Sequence, residues 1–293
     1  MSAHHPEISR QNLGDAPGIK GIRWNMDWIT RPLFGIALAV VAIWVLFHDP
    51  VYFAGLVALI GIPAAFEWHR MVSGGKPHRL TAAVTAITLA LCVLALALGM
   101  SVLVSLGLIA LGVAACAVLA LQRGDDPLWQ GLGVIYLAIP SLALVALRTL
   151  SAHGALVIVG LFIIVWATDT GALICGNLIG GPRLAPALSP GKTWAGTIGG
   201  SIIAALAFAA FIALLGGAPG LAFAVGFGFS FAAHGGDLFE SFVKRRFGLK
   251  NSGAIIPGHG GVLDRMDSTL GAATLMALLV FTIHFNPLIG VHS

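Results

Sequence analysis

Asp264 and Asp267 stand three residues apart where an apolar run begins. In a helix that spacing puts both carboxylates on one face. Hard oxygen ligands so placed suit Mg²⁺, which takes one or two carboxylates and completes its shell with phosphate oxygens and water. Asp237, at the end of the preceding apolar run, can add a further ligand. Lys244, Arg245, Arg246, Lys250 and Arg265 crowd the same stretch. Acids beside bases are what a metal–polyphosphate site needs, the metal to neutralise charge and the cations to clamp the transferred group. Between them, Pro257-Gly258-His259-Gly260-Gly261 supplies main chain without bulk. Glycines of this kind let backbone N–H groups approach phosphate closely. His259 is then a phosphate contact or the cap of a turn.

A plainer reading stands beside this one. Asp264 and Asp267 can cap a helix and pair with Arg265, and a basic cluster can stop transfer and attract anionic headgroups. For Arg246 the plainer reading is preferred. Asp169 is harder to dismiss, because a carboxylate within an apolar run is costly unless it has work to do. Its bland alternative is an interhelical hydrogen bond to a Ser or Thr. Ser189 and Lys192 precede a helix expected to start near Thr197, a place suited to phosphate. Gly191-Lys192-Thr193 is not a P-loop: Pro186 stands where the motif needs glycine, and no strand is expected before it.

The elements that must position these residues are apolar. Of 293 residues, 58% are hydrophobic and 10% charged, and the mean hydropathy is +0.94. A soluble domain carries roughly 25% charged residues, so lipid must cover much of this chain. Nine apolar runs approach the length of a spanning helix: 32–47, 51–66, 81–98, 101–121, 129–147, 155–175, 197–215, 221–233 and 268–285. The fold class expected is therefore all-α, a polytopic membrane protein with about nine transmembrane helices. With a cytoplasmic N-terminus and nine spans, all 16 Lys and Arg except Arg148 fall on the cytoplasmic side. That distribution places the formal charge of +4 in membrane topology and argues against nucleic acid as a partner.

Three regions follow: a cytoplasmic segment 1–31, an N-terminal helical region 32–150 and a C-terminal catalytic region 151–293. Two long polar connections, about 176–196 and 234–267, belong to the last. Long connections in compact proteins usually carry function. The N-terminal region reads as scaffold, lipid contact and oligomer interface. Glu67, His69 and Arg70 read there as a solvated boundary, and Trp24, Trp28 and Trp44 as interfacial anchors. His48 and His153 receive no role. Cys92, Cys116 and Cys175 lie in apolar runs without paired spacing, which suggests neither a disulfide framework nor a zinc site. Residues 1–30 lack a compact apolar stretch, so no cleavable signal is expected.

With those residues in view, the segment from Ser241 to Asp267 resembles the signature of the phosphatidate cytidylyltransferases, the CDP-diacylglycerol synthases. Ser241, Lys244, Arg245, Lys250, Gly253, Pro257, His259, Gly260, Gly261, Asp264, Arg265 and Asp267 match it. Asn251 departs, standing where the family usually has Asp. It keeps an oxygen acceptor and removes a charge, which puts a metal or base role there in doubt. A second segment is also similar to the family, through Asp169-Thr170-Gly171-Ala172, Leu184-Ala185-Pro186 and Ser189-Pro190-Gly191-Lys192-Thr193-Trp194, as is Gly236-Asp237. The resemblance covers about Trp166 to the C-terminus.

The resemblance implies a reaction of CTP with phosphatidic acid to give CDP-diacylglycerol and pyrophosphate. It implies Mg²⁺ on Asp237 and Asp264 with help from Asp267, and leaves room for a second cation. Lys192, Lys244 and Arg265 would act with Asp237 and Asp264 on the reacting phosphates. Substrate contacts would come from Asp169, Ser189, Lys192, Ser241, Lys244, Arg245, Lys250, Asn251, His259, Gly260 and Gly261. The implied setting is the cell membrane, with the site on the cytoplasmic side, membrane lipids as surroundings and room for a homodimer. Three other readings compete. A CTP-dependent lipid-alcohol kinase would transfer the terminal phosphate instead. A CDP-alcohol phosphotransferase lacks support, since no Asp-Gly-x-x-Ala-Arg occurs. A secondary transporter would use Asp169 and Asp237 as ion sites, but its polar broken elements should recur in both halves.

Overall fold

The computed structural model describes residues 40–76, 79–151, 153–253 and 261–291. Within the compact unit that starts at Ala42, residues 42–47 are helical. They are followed by α1 (Pro50–Val72), α2 (Arg79–Ala97), α3 (Val102–Arg123), α4 (Pro127–Leu150) and α5 (Gly154–Ile179). A hairpin of β1 (Arg183–Ala185) and β2 (Ser189–Thr193) leads into α6 (Trp194–Leu214), α7 (Pro219–Arg246) and α8 (Leu263–Thr282).

The helix starts follow from local chemistry. The Asp-Pro pairs that read as breaks are N-termini: Asp49 accepts from Val51 N at 2.9 Å and Asp126 from Leu128 N at 2.9 Å. Each proline occupies the first turn, where its missing N–H costs nothing. Ser101 caps α3 in the same way, and Gly124 ends it with φ +73°. A left-handed residue there satisfies terminal carbonyls, and glycine adopts it without strain.

α1 to α6 are each long and apolar enough to cross a membrane. Leu103, Leu178 and Leu214 are 77%, 81% and 87% exposed. Surfaces of that kind are stable only against lipid, so the chain is a helical membrane protein. α7 and α8 are apolar over part of their length and charged at one end.

Close backbone approaches set the crossings that matter. A Cβ on Gly200 of α6 would lie 2.7 Å from Thr168 O of α5. A Cβ on Gly236 of α7 would lie 2.2 Å from Asp267 O of α8, and one on Gly271 would lie 3.0 Å from Gly236 Cα. Small residues at membrane helix crossings allow such contact. The second crossing brings Asp237 and Asp267 side by side.

Three expectations change. α1 does not end near residue 66 but runs to Val72, and it carries Glu67 and His69 into the interior instead of leaving them at a solvated boundary. Both stay buried because they have partners: His69 Nε2 meets Thr85 Oγ1 at 2.7 Å and its Nδ1 meets Gln130 Oε1. The polar connection expected from 234 is helical as far as Arg246. The connection around Lys192 holds a short antiparallel hairpin, with Arg183 opposite Thr193 and Ala185 opposite Ser189. Strands this short carry no readable periodicity.

Candidate active site

Because α7 continues through the polar stretch, Asp237, Glu240, Ser241 and Lys244 lie on one side of a single helix. The start of α8 faces them, with Asp264 in its first turn and Asp267 just beyond it. Lys244 Nζ donates to Asp264 Oδ1 at 2.8 Å and lies 3.4 Å from Glu240 Oε1. Asp264 also accepts from Gly261 N at 3.1 Å and from Ser252 N at 3.3 Å. Burial pushes the Asp264 carboxyl up, but the bonds from Lys244 and Glu240, the Lys244 charge and the Gly261 N–H outweigh it and hold the group at about 2.

The second part of the site comes from the hairpin and α5. Lys192 on β2 forms an ion pair with Asp237, and Ser241 Oγ reaches Asp237 Oδ1 at 3.5 Å. Thr193 caps α6 through Gly196 N at 3.0 Å, which fixes the strand end beside that helix start. His234 Nε2 meets Thr197 O at 3.3 Å and binds α7 to the same turn. From α5, Asp169 accepts from Ser268 Oγ at 3.3 Å. That is the interhelical bond offered as the bland alternative for Asp169. The bond also joins α5 to the residue after Asp267, so Asp169 sits beside the cluster.

Other residues singled out from the sequence are spread more widely. Ser189 is half-buried on β2, Arg265 is exposed on α8, and Lys250 and Asn251 are exposed after α7. Arg245 donates to Leu188 O at 3.1 Å and Leu249 O at 3.3 Å, tying α7 to the hairpin. Gly261 contributes its N–H to Asp264. His259 and Gly260 lie outside the described residues.

Four carboxylates, Asp237, Glu240, Asp264 and Asp267, thus gather where α7 and α8 meet, with Lys192 and Lys244 set among them. Glu240 is fully buried, with Lys244 Nζ 3.4 Å away and the Asp264 and Asp267 carboxyls against it. Carboxyl groups crowded together in this way are a donor set that fits a hard divalent cation. Among the described residues no three acidic, His or Cys side chains already stand in a metal-binding group. A cation here would rest on one or two carboxylates and take its other ligands from phosphate and water.

Sequence reasoning overlooked Glu240 and misplaced Glu67. Glu240 stands three residues after Asp237 and four before Lys244, and that helical spacing was the available signal. Glu67, from α1, accepts from Val262 N at 3.0 Å and Leu263 N at 2.9 Å. No spacing rule joins residues so far apart in the chain.

Known proteins share this arrangement of sequence. The chain is 36% identical over 257 residues to the phosphatidate cytidylyltransferase of Brucella suis biovar 1, a match covering 85% of this chain and 92% of that one. It is 41% identical over 138 residues to the phosphatidate cytidylyltransferase of Haemophilus influenzae, covering 44% of this chain and 47% of that one. For the Helicobacter pylori protein of the same name the figures are 44% over 131 residues, covering 44% and 48%. A match to the family model described as the cytidylyltransferase family takes in residues 29–283, every described helix from α1 to α8 included. The chain belongs to the cytidylyltransferase family.

Proposed function

We propose that the chain is a phosphatidate cytidylyltransferase, making CDP-diacylglycerol and pyrophosphate from CTP and phosphatidic acid. The observation that carries this reading is the meeting of Asp237 and Lys192 with Asp264 and Lys244 across three elements, at one end of a lipid-covered bundle. Long similarity to relatives bearing that name supports the choice of substrates.

In this reading a phosphate oxygen of phosphatidic acid attacks the α-phosphorus of CTP. A new P–O bond forms, the bond to the β-phosphate oxygen breaks, and pyrophosphate leaves with the electron pair. The nucleophile is already anionic near neutral pH, so no strong general base is needed. Alignment and charge stabilisation are what the protein must supply. Lys192 and Lys244, held ready by Asp237 and Asp264, would turn toward the phosphates, and Arg265 would add charge from α8. Asp237 and Asp264, with Asp267 and Glu240 beside them, would hold Mg²⁺, which supplies charge neutralisation on the triphosphate when bound. Ser189, Ser241, Asp169, Lys250, Asn251, His259, Gly260 and Gly261 complete the proposed substrate-binding set. A second cation and a homodimer are compatible with it.

The proposed topology keeps nine spans, a cytoplasmic N-terminus and a cytoplasmic site in the cell membrane. The apolar parts of α7 and α8 then cross the bilayer, and Arg148 alone among Lys and Arg lies outside. A cysteine-accessibility scan of the α7–α8 connection in intact cells and inverted vesicles tests that side.

Purified protein given CTP labelled in the cytosine ring, with phosphatidic acid and graded Mg²⁺, tests the reaction. The expected result is label in the lipid extract, pyrophosphate in equal amount, and no transfer without Mg²⁺. Label remaining as water-soluble CDP, with phosphate on the lipid, would instead support a lipid kinase. Counterflow in liposomes without nucleotide turnover would support a transporter and end this proposal.

A further inference from the structure

Outside the cluster, one buried carboxylate reaches the same segment from the other half of the molecule. Glu67 is 2% exposed near the end of α1. Its Oε1 accepts from Val262 N at 3.0 Å, and its Oε2 accepts from Leu263 N at 2.9 Å and Ser252 Oγ at 3.2 Å. One turn on, Arg70 Nη2 donates to Ser252 O at 3.4 Å. Val262 and Leu263 present N–H groups at the start of α8 that have no partner within the helix. A carboxylate there satisfies them and suits the positive end of the helix dipole.

The packing leaves no slack around this contact. A Cβ added to Gly253 would lie 2.2 Å from Glu67 Oε1, and one added to Gly261 would lie 2.7 Å from Glu67 Oε2. Glu67 therefore holds Ser252 and the residues from Gly261 to Leu263 together. Those same residues hold Asp264: Ser252 N and Gly261 N donate to its carboxylate.

We infer that Glu67 is a positioning residue for the cytidylyl-transfer site, fixing Asp264 through Ser252 and the first turn of α8. It does not touch substrate. Its side chain sets where Asp264 and its partner Lys244 stand. The inference rests on the proposed activity for its kinetic arm and on geometry alone for its structural arm.

The test compares wild type, Glu67→Gln, Glu67→Asp and Gly253→Ala as purified full-length proteins. Turnover of CTP into lipid is measured together with hydrogen exchange at amides 252–253 and 261–266 without nucleotide. Glu67→Gln keeps the volume but sets an NH₂ group against a backbone N–H. The expected result is faster exchange confined to those amides. Turnover should fall by roughly 10- to 100-fold at temperatures well below melting, the scale expected of a small misplacement at a reacting centre. KM for CTP should rise by less than turnover falls, because of the proposed substrate contacts only Lys244 and Gly261 adjoin the displaced turn. Glu67→Asp should recover part of the lost turnover.

Unchanged turnover and exchange in Glu67→Gln would overturn the inference. So would exchange rising along the whole chain with turnover per folded molecule preserved, since that marks a merely structural contact. Should Glu67→Gln fail to fold, Gly253→Ala displaces the same carboxylate from the other side and decides by the same readouts. A wild type that transfers no cytidylyl group removes the proposed activity, while the exchange arm still decides whether Glu67 holds the helix start.

Discussion

Within one compact unit, helices α1–α4 and helices α5–α8 both carry polar side chains indoors, but they treat them differently. In the first, Glu67 apart, the buried polar groups are neutral and most are hydrogen-bonded, the hydroxyls of Tyr136 and Thr149 excepted. His69 sits between Thr85 and Gln130, Gln130 Nε2 donates to Ser73 Oγ at 2.9 Å, and Ser105 Oγ donates to Cys92 O at 2.7 Å. In the second, acids and lysines face one another across helices, and the fully buried Glu240 is crowded by Lys244 at 3.4 Å and by Asp264 and Asp267. Matched neutral pairs add stability. Crowded acids cost stability and are kept where they serve chemistry. The first bundle is thus read as built to hold and the second as built to react, with Glu67 as the point where holding reaches the reaction.

Substitutions that remove charge without changing shape should separate the two most clearly. Asp264→Asn and Asp237→Asn are each expected to lower turnover by about 100-fold or more, the scale of losing a group that stabilises transition-state charge. Asp264→Asn should also lower the apparent melting temperature, because its carboxylate is held by Lys244, Ser252 and Gly261, whereas Asp237→Asn trades one ion pair for relief from neighbouring acids and should leave it nearly unchanged. Turnover near wild type in both would remove the proposed site. Next comes Glu240→Gln, for which a loss of roughly 10-fold in turnover is expected, with melting unchanged or higher. A clear drop in melting temperature would show that Glu240 serves the fold, and the contrast between the bundles would weaken.

The mirror experiment lies in the first bundle. His69→Ala leaves Thr85 and Gln130 without their partner, at a cost of about 1–3 kcal/mol. Melting should fall accordingly while turnover per folded molecule stays near wild type. If turnover fell with stability intact, the polar groups of α1–α4 would be part of the chemistry after all.

How much of this was legible depended on range. Apolar runs from 51 onward each coincide with one helix, because a backbone in lipid must satisfy its own hydrogen bonds. Their ends were not legible, since hydropathy stops at the first charge while the helix continues. α1 runs on to Val72 and α7 to Arg246. That error hid the shared helical side of Asp237, Glu240 and Lys244. Residue types marked out Asp264, Lys244, Lys192 and Asp169, but not their pairing. Asp169 meets Ser268 across 99 residues, and Glu67 meets Ser252 across 185. Such contacts follow from tertiary packing, here from close crossings such as Gly236 against Gly271. The hairpin at Lys192 was missed because three residues in β1 are too few to show alternation.

Asn251 offers the smallest and sharpest test of where the reactive region ends. The resemblance read from the sequence expects Asp at this position, and restoring Asp there would nominally add a ligand. The Asn251 side chain is exposed, whereas Ser252, the next residue, is buried against Glu67 and donates to Asp264. An added carboxylate at 251 would therefore stand in water, where ions screen it over about 10 Å or less. Asn251→Asp should change turnover by no more than about threefold, and the change should shrink further as salt rises. A tenfold or larger gain that persists at high salt would mean that position 251 turns inward when substrates bind. The border between holding and reacting would then have to be moved outward from Ser252 to include it.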